Sequence, residues 1–128
     1  MLAFDMKKIL VAEDDRNLSR SMDTWLTLEG FQVVTVFNGE EALHKLVQQQ
    51  YDLLITDIAM PRLNGVELIT NIRSIYPQLP ILVVSGKLNA DLINDLQEMA
   101  IDFVLPKPIK PMEFRKIINQ LFPDQIYS

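Results

Sequence analysis

The sequence predicts an α/β fold, a doubly wound five-stranded parallel sheet of (βα)5 form, and three observations predict it. Short apolar runs alternate five times with stretches of helical periodicity along the 128 residues. The runs are apolar throughout rather than at every second residue, as expected of strands covered on both faces. Four of the five runs also close on residues of chemical rather than packing character: Glu13-Asp14-Asp15, Asp57, Ser85 and Lys107.

The elements follow in order. Lys8-Ile9-Leu10-Val11-Ala12 reads as a buried strand, and Leu18, Met22, Trp25 and Leu26 then recur at helical spacing up to a stop at Gly30. Phe31 to Phe37, β-branched and apolar, is the second strand. Asn38 is suited to cap a helix with Ala42, Leu43, Leu46 and Val47 on one face, and Gln48-Gln49-Gln50 reads as its end. Leu53 to Thr56 is a third strand ending at Asp57, and Asn64-Gly65 opens a helix with Leu68, Ile69 and Ile72 inward. Pro80 precedes a fourth strand, Ile81 to Val84, that ends at Ser85. Asn89 begins a helix expected to place Ile93, Leu96 and Ala100 on one side. Phe103-Val104-Leu105 is the fifth strand, ending at Pro106-Lys107-Pro108. Pro111 starts a last helix with Phe114, Ile117, Ile118 and Leu121 inward.

Right-handed crossovers make this an open doubly wound sheet, and five strands suggest the flavodoxin-like order 2-1-3-4-5. One domain over residues 1–128 is expected, with a core from about 7 to 122 and a short tail at 123–128. Hydrophobic residues make up 48% and charged residues 23%, the balance of a soluble globular chain. No apolar run approaches the roughly 20 residues of a membrane span. Met1 to Lys8 lacks the charged-then-apolar pattern of a signal peptide, so a cytoplasmic location is expected. The absence of cysteine excludes disulfides, thiolate metal sites and thiol catalysis. A net charge of −5 argues against direct nucleic-acid binding.

In open parallel sheets ligands bind beyond the carboxyl ends of the strands, near the switch in strand order. The expected order sets the first and third strands side by side there. Glu13, Asp14, Asp57, Ser85 and Lys107 then share one crevice. Crowded carboxylates disfavour one another's ionisation, and a divalent oxygen-seeking cation relieves this. With few protein ligands and room for water and phosphate, Mg²⁺ fits better than Ca²⁺. A carboxylate can act as a nucleophile towards phosphorus, forming an aspartyl phosphate, if cationic groups stabilise the transferring oxygens. Lys107 supplies a positive charge and Ser85 a hydrogen-bond donor.

Asp57-Ile58-Ala59-Met60-Pro61-Arg62-Leu63-Asn64-Gly65 resembles the D-x-x-M-P-x-x-x-G signature of response regulator receiver domains. The strand end Ile9 to Asp15, the pair Ser85-Gly86 and Lys107-Pro108 match that family's other landmarks in order and spacing, over nearly the whole chain. The resemblance implies a two-component phosphorelay switch rather than a conventional enzyme: a phosphoprotein that catalyses only its own Mg²⁺-dependent phosphorylation and dephosphorylation. It implies Asp57 as phosphoacceptor, with Ser85 and Lys107 on the phosphoryl group. Mg²⁺ would be held by Asp14, Asp57 and the Ala59 carbonyl, with Glu13 acting mostly through water. The Lys107-Pro108 bond would be cis, Gly86 would keep the entrance open, and Ala59 and Lys87 occupy positions that tune hydrolysis. The implied partners are a sensor histidine kinase or a histidine phosphotransfer protein. A downstream protein would read the face of the fourth helix, fifth strand and fifth helix, and a phosphorylation-dependent dimer is compatible with the same scheme.

The resemblance also assigns a switch pair, Ser85 and an aromatic on the fifth strand. Counting back from Lys107, that aromatic position falls on Val104. Phe103 is one residue earlier and so faces the other side of a regular strand. Either the switch works through smaller packing changes, the favoured reading, or a bulge re-aims Phe103. Plainer roles suffice elsewhere. Asp15 and Asn64 read as helix caps, Met60 as a packing residue, Trp25 as partly buried and His44 as exposed. An aspartate-nucleophile phosphatase would carry D-x-D after the first strand, where this chain has Glu13-Asp14-Asp15. A flavodoxin-like nucleotide binder would need a glycine-rich loop there. A pseudo-receiver acting without phosphorylation is the remaining alternative, and the full acidic set with Ser85 and Lys107 speaks against it.

Overall fold

A computed structural model describes residues 6–101 and 103–124 of the chain. Five strands alternate with five helices: β1 (Lys8–Ala12), α1 (Arg16–Leu28), β2 (Gln32–Val36), α2 (Gly39–Gln48), β3 (Leu53–Asp57), α3 (Gly65–Ile75), β4 (Ile81–Ser85), α4 (Ala90–Glu98), β5 (Phe103–Pro106) and α5 (Pro111–Leu121). All pairings are parallel and the order is β2-β1-β3-β4-β5, as the strand pattern predicts. β3, which carries Asp57, lies in the middle.

Strand side chains alternate between the two faces. Leu10, Ala12, Leu54 and Val83 meet Ala42 and Leu46 of α2, Leu68, Ile69 and Ile72 of α3, and Leu96 of α4. Ile9, Val11, Leu53, Ile55, Leu82, Val84 and Leu105 meet Met22 and Leu26 of α1 and Phe114 and Ile118 of α5. Two fully developed apolar layers explain why β1, β3 and β4 contain no alternation: both faces of each are core. Trp25 is half-buried and stacks at a tilt on Phe114, with ring centroids 5.4 Å apart.

The caps sit where the sequence placed them. Asp15, Asn38, Asn64 and Asn89 each accept backbone hydrogen bonds at the start of α1, α2, α3 and α4, and Pro111 is the first residue of α5. Asn64 and Glu67 form a reciprocal capping box. α1 and α4 end alike. The residue after each C-cap has positive φ, Gly30 at 95° and Ala100 at 61°. The residue beyond it donates back five positions, Phe31 to Leu26 and Ile101 to Leu96.

Three expectations need correction. Val47 on α2 is exposed, because the helix turns only Ala42, Leu43 and Leu46 inward. On α4, Ile93 is exposed, and Ala100 lies beyond the helix as its left-handed terminator; Leu92, Leu96 and Met99 pack inward instead. Arg73 of α3 contributes to that choice. Its guanidinium donates to the carbonyls of Met99 (2.9 Å), Leu79 (2.6 Å) and Ala100 (3.3 Å), tying the end of α4 to the start of β4. Residues 125–128 of the expected tail lie outside the described residues. Among the described residues no helix is long and apolar enough to cross a membrane.

Candidate functional site

The crevice forms where the chain leaves β1, β3, β4 and β5. Ala12 pairs with Thr56, Asp57 with Val84, and Ser85 with Pro106, so the residues that follow fall into one row across the sheet. Asp57 is the last residue of β3 and is 4% exposed. Its Oδ1 accepts from the backbone amides of Ile58 (2.6 Å) and Ala59 (3.3 Å), and its Oδ2 from Lys107 Nζ (2.6 Å). Glu13 has no exposed surface, and its Oε2 accepts from the Asp15 amide at 3.0 Å. Lys107 Nζ also lies 2.8 Å from Glu13 Oε1, so one ammonium is shared between two carboxylates. Asp14 is exposed at the rim, and one oxygen from each of Glu13, Asp14 and Asp57 falls within 4.8 Å of the others.

Three carboxylates thus face one ammonium. Burial pushes the Glu13 carboxyl above its ordinary value and Asp57 adds to this, while Lys107 and the Asp15 amide pull it back only in part. Burial by itself would lower Lys107, but hydrogen bonds from its ammonium to Asp57 and Glu13 outweigh it, and the net shift is upward. The lysine is therefore a fixed positive charge at neutral pH. The excess of acidic oxygens over the one ammonium is the ligand set that suits a hard divalent cation.

The loop from Ile58 to Asn64 is pinned on both sides. The Gly65 amide donates to Ile58 O at 2.8 Å, and Thr56 Oγ1 donates to Asp57 O at 2.8 Å. Leu63 N donates to Pro61 O across Arg62, whose φ is 71°, a tight turn in a strained conformation for a residue with a side chain. Met60 is buried, as a packing role requires, and Ala59 is exposed beside Asp57. Ser85 is buried, and its hydroxyl accepts from the Lys87 amide at 3.2 Å. Gly86 and Lys87 are exposed, and the Lys107-Pro108 bond is cis. The Lys107 amide donates to Ser85 O at 2.9 Å, which fixes the lysine beside β4.

Val104 packs with the layer under α2, α3 and α4, whereas Phe103 packs with the α1 and α5 layer. The β4–β5 register runs without interruption, so no bulge turns Phe103 towards Ser85. His44 is exposed on α2. Asp15 is committed to capping α1 through its Oδ1, at 3.0 Å from Asn17 N and 3.2 Å from Leu18 N.

Sequence reasoning missed the amides of Ile58 and Ala59 as holders of Asp57, and the hydroxyl of Thr56. Backbone donors carry no side-chain signal; only the abrupt end of the strand at Asp57 hints that free amides follow. A cavity of about 660 Å³ lies at the opposite end of the sheet among Tyr51, Tyr76, Pro80 and Phe122, away from the crevice where the titratable groups converge.

The response regulator receiver domain family model matches residues 9–119. A CpxR-homologue transcriptional regulatory protein of Haemophilus influenzae is 38% identical over 109 residues, covering 84% of this chain and 47% of the relative. The response regulator ArlR of Staphylococcus aureus is 31% identical over 117 residues, covering 91% of this chain and 51% of its own. The chain therefore spans about half the length of these curated relatives. Among solved structures, the chemotaxis response regulator CheY4 of Vibrio cholerae superposes with a TM-score of 0.84 at 26% identity, covering 91% of this chain and 99% of that one.

Proposed function

This chain belongs to the response regulator receiver domain family, and from that premise we propose that it is a phosphorylation switch with Asp57 as phosphoacceptor. The observation that carries the proposal is the shared ammonium. Lys107 holds Asp57 Oδ2 at 2.6 Å while three carboxylates crowd one pocket, an arrangement costly for folding alone and suited to phosphoryl chemistry.

In the proposed reaction a carboxylate oxygen of Asp57 attacks the phosphorus of a phosphohistidine on a kinase or phosphotransfer protein. An O–P bond forms, the P–N bond breaks, and the imidazole leaves with its electron pair. Attack of water on the same phosphorus later returns the carboxylate and releases phosphate. The Ile58 and Ala59 amides hold the acceptor carboxylate in one orientation, so little rotation is needed before attack. Lys107 Nζ sits where negative charge accumulates on the transferring oxygens. Ser85, once its hydroxyl turns from the Lys87 amide, donates to one of them. Asp14, Asp57 and the Ala59 carbonyl would hold Mg²⁺, with Glu13 reaching it through water. The bound ion would supply charge neutralisation for the phosphoryl oxygens.

Site roles, a single domain over residues 1–128 and a cytoplasmic setting belong to the same reading. So do a sensor kinase upstream and a downstream protein on the α4–β5–α5 face, with dimerisation there one mode of output. With Val104 in place of an aromatic, the response passes through small packing changes in the layer beneath α4.

The test is intact mass after incubation with acetyl phosphate and Mg²⁺, beside Asp57→Asn and an EDTA control. One added phosphoryl group, lost in both controls, is expected. A wild-type chain that neither gains the mass nor binds beryllofluoride would instead be a pseudo-receiver acting without phosphorylation.

A further inference from the structure

We infer that the first turn of α2, which contributes no side chain to the acidic crevice, is the template that positions the loop beside Asp57, and that Gly39 is its positioning residue. Gly39 is the first residue of α2 and is buried. A Cβ there would collide with the Leu63 carbonyl oxygen, and would lie 2.7 Å from the Leu63 carbonyl carbon and 2.8 Å from the Leu63 Cβ. No rotamer change relieves a clash with backbone, so only glycine lets the loop lie this close. A second contact joins the same two segments at the surface, where Arg62 Nη1 lies 3.7 Å from Glu40 Oε1.

The consequence travels a short distance. Leu63 closes the tight turn over Arg62, and the far side of the loop is held at Gly65, where a Cβ would strike Asp57 O and approach Ile58 Cα to 2.8 Å. The loop is thus gripped between α2 on one side and the start of α3 on the other. Ile58 and Ala59 lie in that grip, and their amides hold Asp57 Oδ1. The Ala59 carbonyl, a proposed cation ligand, belongs to the same segment. α2 itself is set independently of the crevice, because Asn38 caps it through the Glu41 amide and Glu41 Oε1 accepts from the Phe37 amide.

The Mg²⁺ part of the test rests on the functional reading above; the metal-free part does not. Gly39→Ala is compared with His44→Gly, a substitution at an exposed position of the same helix that weakens α2 away from the loop. In metal-free protein, NMR should show the Ile58 and Ala59 amide resonances moved in Gly39→Ala and unmoved in His44→Gly. Calorimetric titration with Mg²⁺ should show affinity reduced at least tenfold in the first and changed less than twofold in the second. A folded Gly39→Ala protein with wild-type amide resonances and Mg²⁺ affinity within twofold would overturn the inference. Should Gly39→Ala fail to fold, Asn38→Ala loosens the first turn of α2 by removing its cap while Gly39 stays in place; amides of Ile58 and Ala59 that stay in place there would also overturn it. If the wild-type chain itself binds no Mg²⁺, the functional reading fails, and the metal-free amides still decide the role of Gly39.

Discussion

Removing one charge from the crevice should make the metal-free protein more stable. Asp14→Asn keeps shape and deletes a carboxylate whose oxygen lies within 4.8 Å of those of Glu13 and Asp57; at that separation each pair repels by about 0.9 kcal/mol in a water-like dielectric and about 3.5 kcal/mol near a protein surface. Asp14 is exposed, so the lower figure governs, and attraction to Lys107 offsets part of the sum over two neighbours. The net gain expected is about 1 kcal/mol. With a urea m-value of about 1–3 kcal/mol/M, the midpoint should rise by roughly 0.3–1 M in EDTA. Saturating Mg²⁺ should reverse the ranking, because a ligand that binds only the folded wild type stabilises it by mass action. The assay is urea denaturation of both proteins with EDTA and with Mg²⁺. A variant clearly weaker than wild type in EDTA would refute the crowded-carboxylate account.

Four further outcomes are expected. Lys107→Met leaves Glu13 and Asp57, both nearly or fully buried, without their cation; with the lysine side chain 23% exposed, the loss should be about 3 kcal/mol at neutral pH and should shrink as acid protonates the carboxyls, read from urea midpoints across pH. In the wild type the Glu13 carboxyl is raised above its ordinary 4.5, so its share of stability is full below that pH and is lost as pH climbs through the raised value; Glu13→Gln should flatten that part of the stability–pH curve. Lys107 is raised above 10.5, so its share persists to that pH and fails above it, a limb that Lys107→Met should lack. Ala100→Gly should stabilise by about 1 kcal/mol in thermal or urea unfolding, since φ at that position is 61° and glycine takes it without the Cβ penalty; an unchanged or lowered midpoint would contradict the left-handed terminator.

The sequence discloses most of the sheet because a central parallel strand has no choice of face. Ile9 to Ala12 and Leu53 to Ile55 are apolar at every position, and the first carboxylate after each run marks where the sheet ends. The convergence of Glu13, Asp57, Ser85 and Lys107 on one crevice is therefore legible from their places at strand ends. Helix rotation is less so. On α4 the sets Ile93-Leu96-Ala100 and Leu92-Leu96-Met99 both satisfy helical spacing, and the choice between them rests on long-range contacts such as the grip of Arg73 on the Met99 carbonyl. Likewise, nothing in the run Asp57-Ile58-Ala59 announces that two backbone amides fold back onto the carboxylate. Val104 was legible as a departure from the family pattern, but only the uninterrupted register excludes a bulge that would have rescued Phe103.

The central place of β3 has a bearing on how such a chain can diversify. A strand bonded to neighbours on both sides cannot drift without dragging the whole sheet, so Asp57 is a fixed datum from which the rest is hung. The segments that surround it at the rim, from Gly86 to Asn89 and from Pro108 to Lys110, end in solvent and bear little of the core. On the proposed reading, substitutions there would alter which protein donates or listens, or how long a modification persists, and leave the Asp57 carboxylate where the central strand holds it.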